Sequence, residues 1–70
     1  MIRNRLKSIR HQLEIDTQTE FAELIEIDRK HYNRYERQEV QPNLETAILI
    51  AQKLNRPVEE IFYIYIEPDE

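Results

Sequence analysis

Between Asp28 and Gln38 the chain reads DRKHYNRYERQ, setting five basic side chains, Arg29, Lys30, His31, Arg34 and Arg37, around Tyr32 and Tyr35. Wound as a helix at about 100° per residue from Arg29, the segment places Asn33, Arg37, Lys30 and Arg34 at roughly 40°, 80°, 100° and 140°. His31, Tyr35 and Tyr32 fall at roughly 200°, 240° and 300°. One arc is therefore cationic and rich in hydrogen-bonding groups, and the opposite arc is aromatic. Such a helix buries its tyrosines and presents a cationic ridge. His31, near the inner arc, is expected half-buried or in contact with a phosphate.

The rest of the chain does not share this charge. The 70 residues carry a net charge of −4. Residues 1–37 hold eight Lys/Arg against seven Asp/Glu, and residues 38–70 hold two against seven. One domain is the most this length supports, and its core is small. There is no cysteine and no glycine. Disulfides, thiolate zinc sites and glycine-rich phosphate loops are thereby excluded. Paired acids such as Glu59 and Glu60 read as a solvated helix face. Nothing here argues for an enzyme, a cofactor, a metal or a small-molecule substrate. No apolar run approaches the ~20 residues of a membrane span. The basic N-terminus lacks the apolar centre of a secretion signal. The expectation is a cytoplasmic protein that does not enter a membrane.

Several elements must position the ridge. IRNRLKSIRHQL places Ile2, Leu6, Ile9 and Leu13 on one helical stripe. TQTEFAELI opens with Thr17 and Glu20 in a capping-box spacing, with Asp16 or Thr17 as the cap, and carries Phe21, Leu24 and Ile25 as a short apolar face. Asp28 is suited to cap the ridge helix. After QEVQP, Asn43 caps a helix with Leu44, Ala47, Ile48, Ala51 and Leu54 on one face; Leu49 and Ile50 lie off it. Asn55 and Pro57 end that helix. VEEIF makes a last short turn, and YIYIEPDE alternates like an extended tail. The expected fold is all-α, with five helices in residues 1–62 and an extended acidic tail over residues 63–70.

The ordered set LKSIR, TQTEFAELI, YNRYE and QPNLETAILIAQKLNRPVEEIF resembles the Cro/repressor-type, or XRE-type, helix-turn-helix DNA-binding family over about residues 4–62. The resemblance implies a five-helix, lambda-repressor-like domain whose third helix lies in the DNA major groove. It assigns base reading to Arg29, Lys30 and Arg34, with Asn33 a neighbouring candidate for adenine. Arginine pairs bidentately with guanine O6 and N7, so G·C pairs are expected in the site. Gln18 resembles the family's phosphate-contacting glutamine, and Arg37 and Lys7 are further phosphate candidates. Arg10 and Glu36 match a family ion pair joining the first helix to the third.

The chain departs from the family pattern in three places. Glu26 stands where most relatives have glycine, at a cost on the order of 1 kcal/mol if the backbone keeps φ > 0 there. Arg37 and Gln38 stand where another glycine is usual, and LEIDTQ connects the first two helices with one residue more than the common form. The net negative charge implies weak binding to random DNA. The expected function is a sequence-specific double-stranded DNA-binding transcriptional regulator, a repressor acting as a homodimer on an inverted repeat. Leu49, Ile50, Tyr63, Ile64, Tyr65 and Ile66 are the candidates for the dimer contact, with the tails able to pair as strands. The alternative is an anti-repressor-like module that binds another regulator instead of DNA.

Overall fold

The computed structural model describes residues 1–68. In chain order it contains β1 (Ile2–Asn4), α1 (Leu6–Gln12), α2 (Gln18–Leu24), α3 (Arg29–Glu36), α4 (Leu44–Leu54), α5 (Val58–Ile61) and β2 (Phe62–Ile64). Five helices are present, the last four where periodicity and capping residues put them, but the domain is not wholly α. β1 and β2 form a two-stranded antiparallel sheet with Ile2 opposite Ile64, Arg3 opposite Tyr63 and Asn4 opposite Phe62. The expected extended tail thus begins as a strand of the same domain; Asp69 and Glu70 at its end lie outside the described residues.

This sheet corrects the expected first helix. Asn4 Oδ1 accepts the Leu6 N–H at 3.1 Å, so the helix starts there. Ile2 is then left in a strand and half exposed, and Leu13, at the other end of the proposed stripe, is also exposed. Leu6 and Ile9 alone carry the apolar stripe into the core.

The core gathers Leu6 and Ile9 from α1, Phe21 and Ala22 from α2, Ile25, Tyr32 from α3, Ile50 and Ala51 from α4, and Ile61 from α5. Ile50 is 0% exposed, whereas Leu44 is 73% exposed and Ile48 also faces outward. The buried face of α4 is therefore Ala47, Ile50 and Ala51, rotated from the one expected. With apolar residues at positions 44, 47, 48, 49, 50, 51 and 54, sequence periodicity leaves two faces nearly equal; packing into the shared core and against α5 selects between them.

Three helices begin on side-chain caps. Thr17 Oγ1 accepts from Glu20 N–H at 3.1 Å, Asp28 Oδ2 from Lys30 and His31 N–H at 3.0 and 3.3 Å, and Asn43 Oδ1 from Thr46 N–H at 2.8 Å. Each satisfies donors that the helix itself leaves open.

The helix ends solve the absence of glycine in one way. Glu14, Glu26, Gln38 and Asn55 adopt φ of 58°, 56°, 64° and 55°. In each case the next residue donates back to the helix: Ile15 to Arg10, Ile27 to Ala22, Glu39 to Arg34 and Arg56 to Ala51, at 2.9–3.1 Å. These are Schellman closures, in which glycine usually takes the left-handed position. The connection between α1 and α2 begins with this closure at Glu14. At Glu26, beside the turn before α3, the backbone keeps the positive φ that glycine would adopt without strain.

Candidate nucleic-acid interface

Helices α2 and α3 are joined by only Ile25–Asp28, and Phe21 packs on Tyr32 with ring centroids 5.3 Å apart at 54°. Tyr32 is fully buried and Tyr35 half-buried, so the aromatic arc faces inward. That burial fixes the rotation of α3 and turns the opposite arc to solvent. Arg29, Lys30 and Arg34 are exposed and, with Asn33, border one shallow groove. Among the described residues none of these three cations lies within ion-pair distance of a carboxylate. Arg37 is also exposed, but its Nη2 stands 3.7 Å from Glu39 Oε1. Lys7 is exposed on α1. His31 is exposed, which removes the half-buried arm of its expectation and leaves the phosphate contact, because it lies beyond the tyrosine arc; its Nδ1 is 4.0 Å from Asp28 Oδ2.

One carboxylate holds this arrangement together. Glu36 accepts from Arg10 Nε at 3.2 Å and Nη2 at 3.1 Å, from Gln18 Nε2 at 3.2 Å and from the Tyr32 hydroxyl at 2.5 Å. Arg10 Nη1 also donates to the Ile15 and Asp16 carbonyls, at 3.1 and 3.2 Å. The end of α3, the start of α2 and the loop from α1 thus meet at a single anion. Burial alone would raise the Glu36 pKa, but the hydrogen bonds from Arg10, Tyr32 and Gln18 outweigh it and hold the carboxyl below its ordinary value. The Tyr32 hydroxyl is driven far upward by burial and by donating to Glu36, so it remains a proton donor. The hydrogen bonds to Glu36 raise Arg10 above its ordinary value against the effect of burial.

Gln18 and Asn33, assigned separately to phosphate and base, are in contact. Asn33 Nδ2 donates to Gln18 Oε1 at 3.0 Å, while Gln18 Nε2 donates to Glu36. The amide at the start of α2 is thereby oriented from both sides, and its position is tied to a side chain on the outer face of α3.

A second polar cluster had no signal in the sequence. Gln38 Oε1 accepts the Asn4 N–H at 3.0 Å, and Gln38 Nε2 donates to the Asn4 carbonyl at 2.9 Å, as a neighbouring strand would. Asn4 Nδ2 donates to the Tyr35 carbonyl and to Gln41 Oε1, both at 2.8 Å. β1 is thus fastened to the end of α3. These partners lie more than thirty positions apart, and neutral amides in loops carry no periodicity that could reveal their pairing.

Of the candidate dimer residues, Ile50 is removed by its place in the core. Leu49 is exposed but borders the groove beside Ile25, Glu26 and Ile27 at the interhelical turn. Tyr63 and Tyr65 are half-buried and stack under Arg5 and Arg3, with guanidinium-to-ring distances of 4.1 and 4.9 Å. Ile64 and Ile66 are exposed.

Two short capped helices, a tight turn, a core-facing aromatic arc and an outward cationic ridge define a helix-turn-helix domain. A helix-turn-helix family model matches residues 6–61, and the chain belongs to the Cro/repressor-type helix-turn-helix family, whose members are DNA-binding regulators. No curated protein matches the chain. Among the described residues no helix is long and apolar enough to cross a membrane.

Proposed function

We propose that the protein is a sequence-specific double-stranded DNA-binding repressor that acts in the cytoplasm as a homodimer on an inverted repeat. The observation that carries this reading is the state of Arg29, Lys30 and Arg34: exposed, side by side at the start and middle of α3, and unpaired with carboxylates among the described residues. Unpaired guanidinium groups on a rigidly backed helix are suited to the O6 and N7 acceptors of guanine in the major groove. In this reading Gln18, held between Glu36 and Asn33, donates to a phosphate oxygen near the N-terminus of α2, with Lys7 and Arg37 as outer phosphate contacts. Two copies would set their α3 helices about 34–36 Å apart along the duplex.

Selection of bound duplexes from random DNA, followed by binding titrations of Arg29→Ala, Lys30→Ala and Arg34→Ala, tests the reading. The selected site should contain G·C pairs, and Arg34→Ala should cost about 1–3 kcal/mol while relaxing one position of the site. If no sequence is enriched, or if all three variants bind the site as tightly as the parent, the ridge does not read DNA and the anti-repressor-like alternative is favoured.

A further inference from the structure

The terminal sheet has two unlike edges. Met1 and Tyr65 exchange main-chain hydrogen bonds at 3.1 and 2.7 Å, and Arg5 N–H donates to the Ile61 carbonyl at 2.8 Å. Residues 1, 3 and 5 therefore face residues 65, 63 and 61 inside the ribbon, and the main-chain groups of the even-numbered residues point away from it. On β1, those of Asn4 are occupied by the Gln38 amide. On β2, those of Ile64 face outward by the same register, and outside the ribbon they meet no hydrogen-bond partner among the described residues. Native edges of this kind are usually blunted by charge, proline or a covering element. Here residues 62–66 read FYIYI, and the first charge and proline arrive only at Glu67 and Pro68.

The side chains on the same edge are apolar and uncovered. Ile64 and Ile66 are 71% and 81% exposed. Beside them Ile2, Leu44, Val58 and Phe62 border an open groove of about 610 Å³.

We propose that β2 pairs antiparallel with β2 of a second copy about a two-fold axis at Ile64, giving a four-stranded sheet in the order β1-β2-β2′-β1′. This deepens the homodimer of the proposed function and rests on that reading only for its place on DNA. The strand is its own complement. Ile64 meets Ile64 of the second copy and exchanges both free main-chain bonds with it. Phe62 meets Ile66, which sets an exposed isoleucine over the groove beside Phe62. Tyr63 meets Tyr65 on the other face, and no charged side chain falls within the paired segment. A two-fold contact uses the same patch on both partners, as a single self-complementary strand requires.

The chain has no cysteine, so one introduced thiol reports the register directly. Opposed residues of a hydrogen-bonded antiparallel pair have Cα atoms about 5.5 Å apart, within disulfide range. Oxidised without DNA, Ile64→Cys should form a covalent dimer, and Leu49→Cys, beside the interhelical turn, should not. In sedimentation, Ile64→Lys should shift the protein toward monomer with an unchanged helical circular dichroism spectrum. On the selected inverted repeat it should lose about 100-fold in apparent affinity, the usual scale of lost bivalency, and keep the affinity of the parent for a single half-site. A parent that sediments as monomer at all accessible concentrations overturns the proposal. So does a dimer that survives Ile64→Lys, or one cross-linked through Leu49→Cys and not Ile64→Cys. Failure to bind any duplex, with Ile64 cross-linking intact, would overturn the DNA reading and leave the strand pairing standing.

Discussion

Four left-handed residues in a chain without glycine provide a graded test of how the helices are terminated. A residue with a Cβ costs about 1–2 kcal/mol in this conformation. Glycine forfeits about 0.5–1 kcal/mol through its greater freedom in the unfolded chain. The net gain from glycine at a position with no other role is then about 0.5–1 kcal/mol. Glu14, exposed and without a side-chain hydrogen bond among the described residues, is such a position, and Glu14→Gly should raise the melting temperature by about 3–6 °C. Glu26→Gly gains the same backbone relief but loses the exposed ion pair with Lys53, worth about 0–1 kcal/mol, so its net effect is smaller. Gln38→Gly should destabilise, because two hydrogen bonds to the Asn4 main chain, about 1 kcal/mol each, are lost and Asn4 is buried. Asn55→Gly should be near neutral, since asparagine tolerates this conformation. Urea midpoints measured at constant m give the order directly. A lower midpoint for Glu14→Gly, or a higher one for Gln38→Gly, would refute the reasoning.

Four further outcomes follow from the Glu36 cluster. Glu36→Gln leaves the buried Arg10 without its counter-charge and should cost roughly 3 kcal/mol at neutral pH, read by urea denaturation. Because the folded carboxyl lies below its ordinary value of 4.5, its contribution is present above that value and is lost as pH falls through the folded pKa. The parent's urea midpoint should therefore decline on acidification below about pH 4.5, and that component should be missing from Glu36→Gln. Tyr32→Phe keeps the core packing but removes one donor to Glu36, and should cost about 1–2 kcal/mol of stability with the selected DNA sequence unchanged. Asn33→Ala frees Gln18 on one side, and should weaken the site by about 1 kcal/mol even if no base contact is lost.

What could be read from the sequence was local. Thr17, Asp28, Asn43 and Asn55 act on main-chain groups within four residues of themselves, so type and spacing placed the helix ends. The rotation of α3 was also legible, because its tyrosines and cations lie on opposite arcs and only one arc can be buried. By contrast, Ile2 fits a helical stripe as well as a strand. Nothing near it in the chain shows that residues 62–64 will supply a partner.

The sequence by itself determined that a short cationic helix would stand out from an acidic chain, and which residues would form its ridge, since charge and helical period are properties of the segment alone. Only the tertiary structure decided that Ile50 belongs to the core, that the two ends of the domain join as a sheet, and that, among the described residues, Gln38 closes one edge of that sheet while the Ile64 edge stays open. Those outcomes depend on groups far apart in the chain, whose hydrogen bonds and packing exist only once the helices have brought them together.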